Sequence, residues 1–233
     1  PVGYEEHLTM YGLDFEEFLW ATGSRESMIS EVRDAVRTAT PISGSYYDVM
    51  DSRFRDFMLV GGMPAAVQAF VDSGSYKEAR LVMDGIVATL KDDIGKYSSK
   101  TNRIKIEACF DSIPYQLSKS NKKFMYTDIG KGLDGDDDIV NGPGRSRGSR
   151  MASREYGDSL MWIERSGIGN YCYALNLPDF PPEEFVDLRR FKIYMSDTGM
   201  LMSRYAHRTR AAILDWDYSV RAGAIVENEV AEC

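Results

Sequence analysis

The sequence predicts a mainly α chain with a small β component (α+β): a helical lid followed by a winged-helix domain with a β-hairpin. Three observations carry this. Apolar residues recur at helical spacing in 45–59 (Tyr46, Val49, Met50, Phe54, Phe57, Met58) and in 75–97 (Leu81, Val82, Ile86, Leu90, Ile94). Two strand-like runs, 168–176 and 190–196, follow a helical pattern over 150–166. Capping and turn residues fall between the periodic segments.

Taken in order, residues 4–11 alternate as a strand would, and 14–23 read as a short helix. Asp14 is its N-cap, Glu17 lies three residues on, and Gly23 ends it. A polar helix over 25–38 stops before Pro41. After the helix 45–59, the turn Gly61-Gly62-Met63-Pro64 opens a helix over 64–72, where proline suits the first turn. The helix 75–97 ends at a polar break, Ser98 to Asn102, which is the expected domain boundary. A helix over 103–112 should be followed by a separate short helix started by Pro114. Residues 131–149 read as a long surface loop rich in Gly, Asp and Arg. Helix, helix, helix and then a hairpin is the order of a winged helix, a form of helix-turn-helix.

Composition narrows the function classes. Hydrophobic residues are 43% of the 233, enough for a core. No apolar run reaches the roughly 18 residues of a membrane span, so a cytoplasmic protein is expected. Cys109, Cys172 and Cys233 are too few and wrongly spaced for a disulfide framework or zinc site, and His7 and His207 add no ligand spacing. The expected metal set is therefore none, with free thiols in a reducing compartment. The net charge of −8 argues against whole-surface adhesion to nucleic acid or anionic membrane. A local basic group remains: Lys119, Lys122 and Lys123, with Arg145, Arg147, Arg150 and Arg154 beyond the acidic run Asp134, Asp136, Asp137 and Asp138.

Five segments, in order, carry a resemblance. They are YGLDFEEFLWA (11–21), VGGMPAAV (60–67), SIPYQLSKSNKKFMY (112–126), FKIYMSDTGML (191–201) and GAIVENEV (223–230). Together they resemble prokaryotic AAA+/STAND-like P-loop ATPases that end in a C-terminal domain of unknown function. No stretch fits the phosphate loop G-x-x-x-x-G-K-[ST]. Gly95-Lys96 runs into Tyr97, and Gly130-Lys131 into Gly132. The chain is therefore expected to be the middle and later part of a longer protein, with a P-loop domain as its missing partner.

The resemblance implies a lid and linker over 1–98, a winged-helix domain over 99–206 and the opening of a nuclease-like domain over 207–233. It places Gly61, Gly62, Met63 and Pro64 near the nucleotide base, with ATP and magnesium bound by the intact protein and neither by this chain alone. Leu13, Phe15, Phe18, Leu19 and Trp20 would dock a helix on the ATPase core. Lys119, Lys122, Lys123, Arg150 and Arg154 are the candidate phosphate contacts, with DNA or a protein as the partner. Asp92, Asp93 and Lys96 suit a cap or salt link. Adjacent carboxylates on a helix diverge by about 100° and make no acid/base pair. Asp197 reads as an N-cap, and Glu227 matches the first acidic residue of the nuclease-like site. No catalytic residue is assigned. The function implied is a regulatory or effector portion of an ATPase. The alternatives are an oligomerisation module without DNA contact and part of a defence-related nuclease.

Overall fold

The computed structural model describes residues 10–97, 99–119, 123–129, 149–205, 210 and 223–232. Mainly α with one small antiparallel sheet is what it shows. The helices are α1 (Phe15–Ala21), α2 (Glu26–Thr38), α3 (Gly44–Val60), α4 (Pro64–Ser73), α5 (Tyr76–Tyr97), α6 (Lys100–Ser118), α7 (Ser149–Arg165), α8 (Thr198–Ser203) and α9 (Gly223–Glu232). Strands β1 (Gly169–Leu175) and β2 (Val186–Met195) lie between α7 and α8. No helix among the described residues is long and apolar enough to cross a membrane. The expected strand over 4–11 lies almost wholly outside the described residues, as does the loop 131–148.

Local signals set the first elements. Asp14 caps α1 in a full capping box: its side chain accepts from the Glu17 N–H at 2.8 Å, and Glu17 accepts from the Asp14 N–H at 3.0 Å. This ties down two donors that helix geometry leaves open. The apolar face of α1 settles on α3 and α4, with Phe18 5.1 Å from Phe57 and Phe15 edge-on to Phe54 at 5.3 Å. The helix expected to dock on an ATPase core thus finds its partners within this chain. Trp20 stays half exposed, and its indole N–H donates to Glu26.

Two sequence expectations shift. Leu81 is 56% exposed, and the buried stripe of α5 is Ala79, Met83, Val87 and Ile94. Val82, Ile86 and Leu90 flank that stripe. Of the expected face Ile94 is buried, Val82, Ile86 and Leu90 pack at the edge of the core and Leu81 turns to solvent, so the face is turned by roughly 50°, about half of one residue's step. Pro114 starts no new helix but sits inside α6. Proline removes one ladder hydrogen bond, yet Ile106, Cys109, Phe110, Ile113 and Leu117 form one buried face running through it. Burial of that face outweighs the break. Gln116 adds a clasp, accepting from the Met125 N–H at 2.6 Å.

One buried cluster extends from Phe18 to Ile225, on both sides of the break at 98–102. At its centre lies α8, all six residues of which are buried. The surrounding helices grip it by polar contacts. The Arg80 guanidinium on α5 donates to the Ser203 carbonyl at 3.1 Å. Asp111 on α6 takes Lys91 from α5 at 2.8 Å and Arg204, just after α8, at 2.7 Å.

The hairpin changes character midway. From Gly169↔Met195 to Tyr173↔Phe191 the ladder is regular, and its inner face stacks Phe191 on Phe124 at 5.6 Å. The next pair is Ala174↔Asp187, so Leu188, Arg189 and Arg190 bulge out of the ladder.

Candidate functional site

Two sequence motifs 135 residues apart meet as one knot. The N–H of Gly62, in the turn between α3 and α4, donates to an oxygen of Asp197 at 2.8 Å. Asp197 is wholly buried and also caps α8 through the Met200 N–H at 2.7 Å. The turn conformation demands glycine: Gly61 has φ +79°, and a Cβ there would lie 2.3 Å from the Asp197 carboxylate. A Cβ on Gly199 would lie 2.2 Å from the Val60 carbonyl, and one on Gly62 2.2 Å from the Leu13 carbonyl. Three chain segments therefore cross at backbone distance, joined also by Leu13 N–H to Gly62 O at 2.8 Å.

The terminal helix α9 closes the other side. Asn228, fully buried, accepts from the Met195 N–H at 2.8 Å and donates to the Met195 carbonyl at 3.0 Å. A side-chain amide thereby replaces a strand partner at the end of β2. Asn228 also donates to the Thr198 hydroxyl at 3.1 Å. Glu232 accepts from the Thr198 N–H at 3.0 Å and its hydroxyl at 3.2 Å. Glu227 on the same helix binds Lys192 and, at 2.6 Å, the Tyr194 hydroxyl.

Three carboxyl groups thus share one buried region. Burial pushes Asp197 up to about 6, against the pull of the Met200, Gly62, Met63 and Gly199 amides. Burial, then the charges of Asp197 and Glu229, push Glu232 up to about 8. Glu229 is also raised, chiefly by burial. The amides around Asp197 let it lose its proton before Glu232 does, the usual division between close carboxyls in a dry site. The described residues contain no group of three His, Cys, Asp or Glu side chains that could hold a metal ion. Asp197, Thr198, Asn228 and Glu229 are buried in the knot and Glu232 is half-buried at its edge.

The predicted site residues divide accordingly. Gly61 and Gly62 are buried, Met63 is half-buried and Pro64 exposed. The Gly61 N–H donates to Phe57 O at 2.7 Å and the Gly62 N–H to Asp197. Both amides are thus committed within the chain. Among the basic candidates, Lys119 is paired with Asp128 and covers the Tyr115 ring at 5.6 Å, which makes it a structural tie. Arg154 is exposed and Lys123 half-buried. Lys122, Arg145, Arg147 and the side chain of Arg150 lie outside the described residues. Glu227 is met by a lysine and a tyrosine rather than by further carboxylates. Asp93 pairs with Lys96 at 2.8 Å within α5, and Asp92 lies 3.7 Å from Arg103 on α6. Cys109 is buried and Cys172 exposed, both free thiols. Cys233 and both histidines lie outside the described residues.

Thr198, Gly199, Asn228, Glu229 and Glu232 were not among the expected residues. For the α9 residues a signal exists. Ala224, Ile225, Asn228 and Glu229 form the buried stripe of α9, and a polar residue on an apolar stripe requires a specific partner.

A family model described as a domain of unknown function (DUF8612) matches residues 51–210, more than half of the chain, and the chain belongs to that family. Both halves of the Gly62–Asp197 contact fall inside the match, and α9 falls beyond it. No curated protein and no solved structure matches.

Proposed function

We propose that this member of the DUF8612 family is the coupling and effector portion of a cytoplasmic AAA+ superfamily ATP-binding protein. The observation that carries the reading is the unbroken chain of contacts from Gly62 through Asp197 and Thr198 to Glu232. A displacement of the turn 61–64 cannot leave Asp197 in place, and α8 cannot shift without Thr198 moving α9. Packed elements with two discrete arrangements pass sub-ångström shifts to one another, and the knot would serve as such an element. The nucleotide would be held by residues outside the described ones, and this chain's part is to receive and relay movement. On the output side, the commitment of Lys119 to Asp128 favours a protein partner over DNA. The closure of Glu227 by Lys192 and Tyr194 gives the nuclease reading no support.

Hydrogen exchange on the full-length gene product, with and without ATP and magnesium, tests this. Exchange at residues 61–64 and 223–232 should change together on nucleotide addition, and Asp197→Asn should uncouple the two segments. A protein that binds no ATP, or binds it with both segments unchanged, would falsify the proposal.

A further inference from the structure

The outer end of the hairpin bears a surface that no contact of the knot uses. Leu177, Phe180 and Leu188 all stand in solvent there, Phe180 at 87% and Leu188 at 69% exposure. All three lie on the hairpin loop or in the bulge next to it. The Asn176 N–H donates to Phe185 O at 2.8 Å and closes the loop, and the bulge lifts Leu188 out of the ladder beside it. Scattered exposed apolar residues are ordinary, whereas a gathered set marks a contact site. Charge is sorted by segment. Glu183 and Glu184 are exposed on the loop, while Arg189 and Arg190 are exposed on the bulge. Asp187 forms a long ion pair with the Arg189 guanidinium at 3.8 Å that leaves the arginine 95% exposed, and Asp179 adds a third exposed carboxylate to the loop.

We propose that this end of the hairpin is a homotypic contact whose occupant is the same surface on a second copy of the chain. The argument is charge complementarity. A duplex or an anionic bilayer would meet Glu183 and Glu184 together with the arginines, on a chain of net charge −8. A two-fold axis through the apolar centre instead sets the basic bulge of each copy against the acidic loop of the other. An isologous interface must be self-complementary in this way. Exposed aromatic and arginine residues around an apolar centre are also the composition of protein interfaces. The proposal does not depend on nucleotide coupling.

Sedimentation of the full-length protein up to about 100 µM, a range that detects weak association, is the test. The wild type should dimerise. Both R189E/R190E and E183R/E184R should weaken the dimer by at least about tenfold, since like charges then face one another. E183R/E184R is the sharper of the two, because it lowers the net negative charge and would strengthen any association limited by general repulsion. An equimolar mixture of the two variants should restore a heterodimer. Circular dichroism checks that the variants are folded, and Phe180→Ser should dissociate the dimer without altering charge. A wild type that stays monomeric at about 100 µM overturns the proposal. So does a dimer that both reversals leave unchanged, or a mixture that fails to reassociate.

Discussion

Strand β2 joins two regions built on opposite principles. At Met195 it ends in the knot, where Asn228 takes up both backbone groups of Met195 and Asp197 begins α8. At its other end the ladder breaks and Leu188, Arg189 and Arg190 project into solvent. In the knot Asp197, Thr198, Asn228 and Glu232 are all hydrogen-bonded, Glu229 Oε2 is buried without a partner among the described residues, and each glycine has neighbouring atoms pressed against it, so substitution should be felt as a change in stability. At the tip the side chains have little to lose within one copy, so substitution should be felt only as lost association. Burial with committed hydrogen bonds marks the part that transmits. Apolar exposure with sorted charge marks the part that receives a partner.

The hardest way to break this contrast is Asp197→Ala. It removes the α8 cap and strands the Gly62 and Met200 N–H groups in a dry interior. The cap is itself the Met200 N–H bond, so two buried donors are abandoned at about 1–3 kcal/mol each, and urea denaturation should show a loss of roughly 2–6 kcal/mol. Asp197→Asn keeps one acceptor and should fall well short of that. A loss under about 1 kcal/mol for the alanine variant would mean that the knot is not held by this carboxylate. Gly199→Ala comes next. Its methyl would meet the Val60 carbonyl at 2.2 Å, while Gly85→Ala on α5 has nothing within 4 Å of the new Cβ. Overpacking at Gly199 should cost about 2–3 kcal/mol, whereas the change at Gly85 should stabilise by about 0.5–1. Equal effects at the two sites would remove the crossing of backbones as an explanation.

Which parts were legible in the sequence follows from the range of the forces. Asp14, Glu17 and Gly23 act on neighbours a few residues away, and α1 forms where they indicate. The proline in Gly-Gly-Met-Pro likewise opens α4. Pro114 misled because local propensity was outvoted by a buried face that only tertiary packing creates. Paired glycines in the turn are legible as residues that permit close backbone approach. Their partner, however, is Leu13 and Gly199 of the same chain, and no spacing rule reveals a contact across 135 residues. Lys119 was readable as a charge, but its pairing with Asp128 depends on how 123–129 folds back.

The pH dependence of α9 is a gentler probe. The Glu232 carboxyl lies at about 8 in the folded chain, against 4.5 as its ordinary value. The folded state therefore binds the proton more tightly than the unfolded one. Stability from this group is fully present below about pH 4.5, declines as pH rises and is gone above about pH 8. Asp197, raised from 3.8 to about 6, adds a decline of the same sign at lower pH. The charged and titratable groups facing Glu232 are Asp197 and Glu229, while Lys192 is engaged with Glu227. Thermal melts should fall by several degrees between pH 6 and pH 9. Glu232→Gln keeps the acceptor for Thr198 and should flatten that slope. An unchanged slope would assign the pH effect to another group.

The smallest effect on stability, and the one that separates the two regions most cleanly, belongs at the tip. Phe180→Ser and Leu188→Ser remove apolar surface that is already in water, so neither should shift the urea midpoint by more than the equivalent of about 0.5 kcal/mol. If either variant destabilises as a core substitution does, by about 2 kcal/mol or more, then the tip is packed within a single copy and has no free face to offer. If stability holds while association is lost, the two ends of β2 divide as their burial indicates. The buried end then transmits within one copy, and the exposed end acts between two. In that case a movement relayed through Asp197 to the root of β2 would reach the dimer contact along the strand itself, because Tyr173↔Phe191 is the last regular pair before the bulge. The double variant Asp197→Asn with Phe180→Ser tests that step. Its dimerisation free energy should differ from the sum of the single effects only if knot and tip are coupled, and by at least about 0.5 kcal/mol if they are.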